Sequence, residues 1–205
     1  AKTETPVVSN NSAHRWTPDV PMVVPEVNPE DLRKHKGIIA NPNCSTIIAM
    51  VPIKPLHDYA KVRRITAATY QAVSGAGILG INELRTQARE VLDEKEIQPK
   101  VFQHQIAFNT IPHIDYFEDN GYTHEEMKMF REGRKILGKE DLMVNCTCVR
   151  VPVFRSHSEA ITIETELELT PEKARELLAN APGVKVYDNP AMNEYPMPVD
   201  TSNGD

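Results

Sequence analysis

Residues 38–46 impose the strictest local geometry in this sequence. The apolar triplet Ile38-Ile39-Ala40 reads as a short buried strand. Asn41-Pro42-Asn43 stops it at once, because proline cannot donate to a strand ladder. Ser45 to Met50 then reads as a helix start, with Ile47, Ile48 and Val51 at helical spacing. Cys44 is thereby set between a strand end and the first turn of a helix. Unpaired backbone N–H groups at such a place carry partial positive charge, favour thiolate over thiol and can receive an oxyanion. The segment Asn41-Pro42-Asn43-Cys44-Ser45-Thr46 is therefore the expected centre of chemistry, with Cys44 as nucleophile of a covalent acyl intermediate. Position alone would equally allow a small buried cysteine at a helix start.

The rest of the chain alternates short strands with helices. Residues 6–9 and 22–24 read as strands bounded by turn residues. Asn28 and Pro29 suit the cap and first position of a helical turn. Pro52 and Pro55 are expected to limit or kink the helix after Cys44. Residues 61–73, rich in β-branched and aromatic side chains, predict a long strand, and 78–94 a helix with Leu79, Leu84, Ala88, Val91 and Leu92 on its apolar side. Thr123-His124-Glu125-Glu126 is a capping box opening a helix to Leu137, which Gly138 ends. Residues 142–154 and 160–169 predict two strands joined through Arg155-Ser156-His157-Ser158, and Thr170-Pro171-Glu172 starts a last helix. Such an order predicts an α+β fold: a mixed, largely antiparallel sheet with helices packed on one face. Both ends look abrupt. The first strand follows the polar opening almost immediately, and residues 196–205 are loop chemistry without a closing helix or strand, as in a piece of a longer chain.

Composition narrows the function. A formal charge of −6 argues against nucleic acid or an anionic membrane as a main partner. No apolar run is long enough to span a bilayer. The three cysteines show no metal-ligand spacing, and an odd count without a signal-type beginning predicts a cytoplasmic protein. Cys146 and Cys148 lie two apart in a predicted strand and read as sheet-face residues. A nucleophilic thiol needs a base. Among seven histidines, His157 stands out in its polar turn after Arg150 and Arg155, which suit a carboxylate or phosphate.

Gly75-Ala76-Gly77-Ile78-Leu79-Gly80 matches the dinucleotide fingerprint between a strand and a helix. The preceding strand is too polar for the buried first strand of a parallel sheet, and Glu94 and Glu96 lie at a helix end. The glycines read better as a loop that lets backbone approach a ligand.

Four segments together resemble the aspartate-semialdehyde dehydrogenase family. Asn41 to Thr46 is similar to its nucleophile motif, and Gln71-Ala72-Val73-Ser74-Gly75-Ala76-Gly77 to its active-site loop. Glu132-Gly133-Arg134-Lys135 resembles its substrate helix, and Arg150-Val151-Pro152-Val153-Phe154-Arg155-Ser156-His157 its arginine–histidine strand and turn. They occur in the family's order, between about residues 6 and 199. The resemblance implies NADPH-dependent reductive dephosphorylation of L-aspartyl 4-phosphate to the semialdehyde through a thioester on Cys44, in lysine, methionine and threonine biosynthesis. It implies His157 as acid/base and Gln71 orienting the reacting group. Arg150 would hold the substrate carboxylate, Glu132 its ammonium and Lys135 the phosphate, with Ser74 and Gly75 near the nicotinamide of NADP. It further implies a glyceraldehyde-3-phosphate-dehydrogenase-like C-terminal domain. Residues 1–43 would be the tail of the NADP-binding Rossmann domain. Residues 44–205 would form a catalytic, substrate-binding and dimerisation domain, incomplete at its C-terminal end. A homodimer or homotetramer is expected. The family's N-terminal glycine fingerprint and closing helix are absent, so this chain alone is expected to turn over poorly.

N-acetyl-gamma-glutamyl-phosphate reductase shares the thiol, histidine and acyl phosphate, but has Gly where this chain has Asn43. A cysteine hydrolase would need only the thiol and histidine. Either way, Cys44 is expected to be alkylated ahead of the other two thiols near neutral pH. Mass spectrometry that finds Cys146 or Cys148 labelled first in the folded protein would remove Cys44 from the centre of the chemistry.

Overall fold

The computed structural model describes residues 5–202. Residues 1–4 and 203–205, on which part of the expectation about the ends rests, lie outside the described residues. Two short strands, β1 (Val7–Ser9) and β2 (Ile38–Ala40), pair in parallel with Val8 opposite Ile39. The expected strand at 22–24 does not form. Pro21 and Pro25 bracket the run, leaving one bridge between Met22 and Ala40, though all three residues are buried. Asn28 does not cap the 3₁₀ turn Pro29–Lys34. Its side chain instead accepts from the Val24 amide and donates to the Met22 carbonyl, each at 2.9 Å.

α1 (Cys44–Ala60) begins after a three-residue link from β2 and runs through Pro52 and Pro55, against the expectation that they limit it. Each proline removes one N–H from the helical ladder. The helix persists because Ala49, Met50, Ile53 and Ala60 bury its inner side. Lys61, in the left-handed region at φ 58°, ends it and delivers the chain to β3 (Val62–Gln71). β3 buries Ile65, Ala67, Thr69 and Gln71 and exposes Thr66 and Tyr70, the alternation of a strand covered on one face.

A 3₁₀ turn, Val73–Ala76, leads into α2 (Gly77–Leu92). Ile81 and Leu84 of α2 share a core with Val73, Phe102, Ile106, Ala107 and Ile111. α3 (His124–Leu137) opens with the expected reciprocal bonds, Thr123 N–H to the Glu126 carboxylate at 2.7 Å and Glu126 N–H to the Thr123 hydroxyl at 3.4 Å. Gly138, at φ 63°, follows it. β4 (Met143–Arg150), β5 (Ser158–Thr165) and α4 (Pro171–Ala179) come next, and Pro198–Thr201 forms a single helical turn, α5.

β4, β3 and β5 make one sheet in that order. Val151 N–H donates to the Gln71 carbonyl, so the ends of β3 and β4 coincide and the two run the same way. Arg64, early in β3, pairs with Glu164, late in β5, so those two run oppositely. The sheet is mixed, as an α+β fold requires. By compactness the chain forms two units, each discontinuous in sequence. One holds residues up to Thr66, Met127–Asn145 and Ile161–Val186; the other holds Ala67–Glu126, Cys146–Ala160 and residues from Tyr187 on.

Gly80 marks a tight spot in the second unit. A Cβ there would come within 2.5 Å of the Val73 carbonyl and 2.9 Å of the Ala76 Cβ. Backbone cannot yield as a side-chain tip can, so Gly80→Ala is expected to cost roughly 1–3 kcal/mol. A lower Tm is the readout; an unchanged Tm would show that the 73–76 turn moves freely.

Candidate active site

The first unit carries the thiol. Asn43 is the N-cap of α1 and its Oδ1 accepts from Thr46 N–H at 3.2 Å. Cys44 is the first helical residue and is exposed, whereas Cys146 and Cys148 are buried in β4. Their sulfurs lie 3.5 Å apart, and the thiol hydrogen bond between them together with burial pushes the Cys146 thiol far up. They are the sheet-face residues expected from the sequence.

Glu132 and Lys135 are in the same unit as Cys44, on α3, but their surroundings differ from expectation. Glu132 is 1% exposed. Its Oε1 accepts from Arg15 Nη1 at 2.9 Å and its Oε2 from Asn43 N–H at 2.7 Å. Burial raises its pKa while the Asn43 amide and Arg15 pull it down. With both oxygens committed and no open face, Glu132 is not placed to hold a substrate ammonium. Lys135 donates to the Arg15 carbonyl at 2.7 Å and lies 5.1 Å from the Trp16 ring centroid. Although much of its side chain is exposed, desolvation at the ammonium lowers its pKa. That bond uses one of the three ammonium donors.

The second unit gathers four other polar groups. Gln71 ends β3 fully buried, its Oε1 accepting from the Thr69 hydroxyl at 2.9 Å and its Nε2 donating to Glu125 at 3.0 Å. Arg150 ends β4 and donates from Nη1 to the Ala72 carbonyl at 2.7 Å. His157 follows Ser156, whose left-handed φ of 67° turns the chain back. The Ala72 amide donates to His157 Nδ1 at 3.1 Å, so the neutral ring carries its proton on Nε2. Burial and the Arg150 charge lower the His157 pKa, and Glu125 partly opposes them.

Ser74 and Gly75 belong to the turn beside these groups. Their amides are taken by backbone carbonyls, Ser74 N–H by Phe154 and Gly75 N–H by Ala72. What Gly75 contributes is room. A Cβ on it would stand 2.7 Å from Arg150 Nη1 and 3.4 Å from His157 Nε2. The bare backbone lets the Arg150 guanidinium and the His157 ring pack directly against it.

Glu125 is the group that sequence reasoning missed. The spacing Glu-x-x-Lys occurs twice on α3, once as Glu125 with Lys128 and once as Glu132 with Lys135. Only the carboxylate of the earlier register meets Gln71. The signal is present in the sequence, but Glu125 stands inside the capping box and is absorbed by it.

Glu159, early in β5, is a further buried carboxyl of the second unit. Neither of its oxygens finds a hydrogen-bond partner among the described residues. Burial, helped by the nearby Glu125 charge, pushes its pKa up to about 8.

Known proteins match most of this chain. The family model described as semialdehyde dehydrogenase, dimerisation domain, matches residues 53–205. The chain is 57% identical over 203 residues to the aspartate-semialdehyde dehydrogenase of Aquifex aeolicus, across 97% of this chain and 59% of that relative. Aspartate semialdehyde dehydrogenase II from Vibrio cholerae, solved also complexed with ASA, is 44% identical. It superposes with a TM-score of 0.93 over 97% of this chain and 59% of its own. The Candida albicans enzyme, solved with NADP, is 28% identical with a TM-score of 0.62, over 85% of this chain and 48% of its own. The chain thus spans 59% of the length of the Aquifex relative.

Glu159 gives a test by pH. The unfolded chain releases this proton near pH 4.5 and the folded chain near 8, so folding loses stability as pH rises through that interval. Glu159→Gln is expected to match the parent near pH 4.5 and to be more stable at pH 8. Thermal unfolding of both proteins across the interval measures this; parallel curves would mean that the carboxyl ionises normally.

Proposed function

We propose that this chain, which belongs to the aspartate-semialdehyde dehydrogenase family, supplies the catalytic part of an enzyme that reduces L-aspartyl 4-phosphate to L-aspartate 4-semialdehyde with NADPH. The observation that carries the reading is the cluster of Gln71, Glu125, Arg150 and His157 on a chain that also presents Cys44 at a helix start. A guanidinium and a carboxylate in one cluster suit the two charged ends of an amino acid.

In this reading Cys44 attacks the acyl phosphate carbon, forming a C–S bond as the C–O bond to phosphate breaks. The positive end of α1 favours the attacking anion. Arg150 holds the α-carboxylate, Gln71 orients the reacting group, and Glu125 takes the ammonium role expected of Glu132. Lys128, three residues after Glu125, then takes the phosphate role expected of Lys135. NADPH, when bound, supplies the hydride that reduces the thioester carbon, and Ser74 and Gly75 would hold its nicotinamide. Negative charge develops on the substrate oxygen. With Nδ1 engaged by Ala72, Nε2 is the His157 nitrogen left to donate to that oxygen and manage its proton. Collapse expels Cys44 as thiolate and frees the semialdehyde.

The same proposal assigns residues 1–43 to the end of the NADP-binding domain and 44–205 to the catalytic and dimerisation domain. The description of the matching family model supports a homodimer or a higher homo-oligomer. The pathway would be lysine, methionine and threonine biosynthesis. A reducing, cytoplasmic setting suits a thiol nucleophile, and no helix among the described residues is long and apolar enough to cross a membrane.

The full-length protein, given semialdehyde, phosphate and NADP, is expected to form NADPH, and Cys44→Ala to abolish this. His157→Ala is expected to lower kcat on the order of 10²–10⁴-fold with little change in KM. Protonation at Nδ1 would oppose the Ala72 amide, so the acid limb of the rate profile is expected below pH 6.5. A destabilised variant with full activity per folded molecule would leave His157 a turn residue only.

A further inference from the structure

The amide of Asn43 is held by a carboxylate that no local sequence rule supplies. In a local capping box, the residue three positions after the cap reaches back to the cap's own N–H. Here that residue is Thr46, and its buried hydroxyl finds no partner among the described residues. Glu132, 89 residues further on, fills the place, its Oε2 accepting from Asn43 N–H at 2.7 Å. Its other oxygen accepts from Arg15 Nη1, and Arg15 Nε donates to the Asn41 carbonyl at 3.0 Å. One ion pair thus grips the carbonyl at one end of Asn41-Pro42-Asn43 and the amide at the other. Lys135 in turn pins the Arg15 carbonyl.

We propose that Glu132 is a positioning residue for Cys44, fixing the backbone from which the thiol projects by gripping the Asn43 amide. The inference rests on the reading of Cys44 as nucleophile and deepens it. Both groups facing Glu132 are donors, and a carboxylate accepts from both at once. A glutamine has one accepting atom, and its NH₂ would turn toward either Asn43 N–H or Arg15. Glu132→Gln therefore keeps the size and breaks one of the two grips.

The test uses the full-length protein. In Glu132→Gln, alkylation of Cys44 by iodoacetamide is expected to slow at least about tenfold, and kcat to fall roughly 10- to 100-fold with KM little changed. Unchanged alkylation and kcat in the folded variant overturn the proposal. So does a raised KM at unchanged kcat, which would mean that Glu132 touches substrate. Amide exchange in the unaltered protein covers the case of a variant that does not fold. Asn43 N–H is expected to exchange as slowly as amides inside α1, and exchange at the rate of an exposed loop overturns the proposal. Turnover that survives Cys44→Ala overturns the functional reading itself, and is recognised separately from the alkylation and exchange rates.

Discussion

The buried pair of Arg15 and Glu132 is the interaction that ties together the first unit's backbone around Cys44. Two charges withdrawn from water are costly, and losing one partner of such a pair typically costs about 3–5 kcal/mol. The pair is tolerated because each member has a second partner: Glu132 bonds Arg15 and the Asn43 amide, and Arg15 bonds Glu132 and the Asn41 carbonyl. These bonds join the loop after β1, the turn before α1 and the middle of α3. A strand end and a helix start are thereby held in one relation, and Cys44 follows directly after the gripped Asn43.

The second unit solves a related problem with a different balance of charge. Burial and the nearby Arg150 charge lower the His157 pKa, while Glu125 offsets part of that effect. Glu159, with the Glu125 charge close by, stays protonated to about pH 8. One cation, one carboxylate, an imidazole that binds its proton less tightly and a carboxyl that binds its proton more tightly make a cluster without a large net charge. The Gly75 backbone lets Arg150 and His157 pack together where any side chain would collide with the guanidinium.

Several parts of this arrangement were legible in the sequence. The strand stop at Asn41-Pro42-Asn43, the capping box at Thr123 and the polar turn at His157 follow from local rules, and each forms where expected. Other parts were not. Pro52 and Pro55 read as helix limits, yet tertiary burial of α1 outweighs two missing bonds. Met22-Val23-Val24 reads as a strand, yet flanking prolines leave it a single bridge. Glu132 and Lys135 carry the spacing of a substrate helix, but so do Glu125 and Lys128, and periodicity cannot choose between two registers of one helix.

The sequence by itself determined where the chain changes from strand to helix, that Cys44 stands at that change, and which family the ordered motifs belong to. These depend on neighbours a few residues apart, which backbone sterics and hydrogen bonding link directly. Only the tertiary structure decided what each charged side chain faces. Glu132 meets an amide 89 residues away, and Glu125 meets a side chain 54 residues away. A carboxylate's role depends on whether water, an arginine or an amide surrounds it, and that is settled by packing over distances no local pattern encodes.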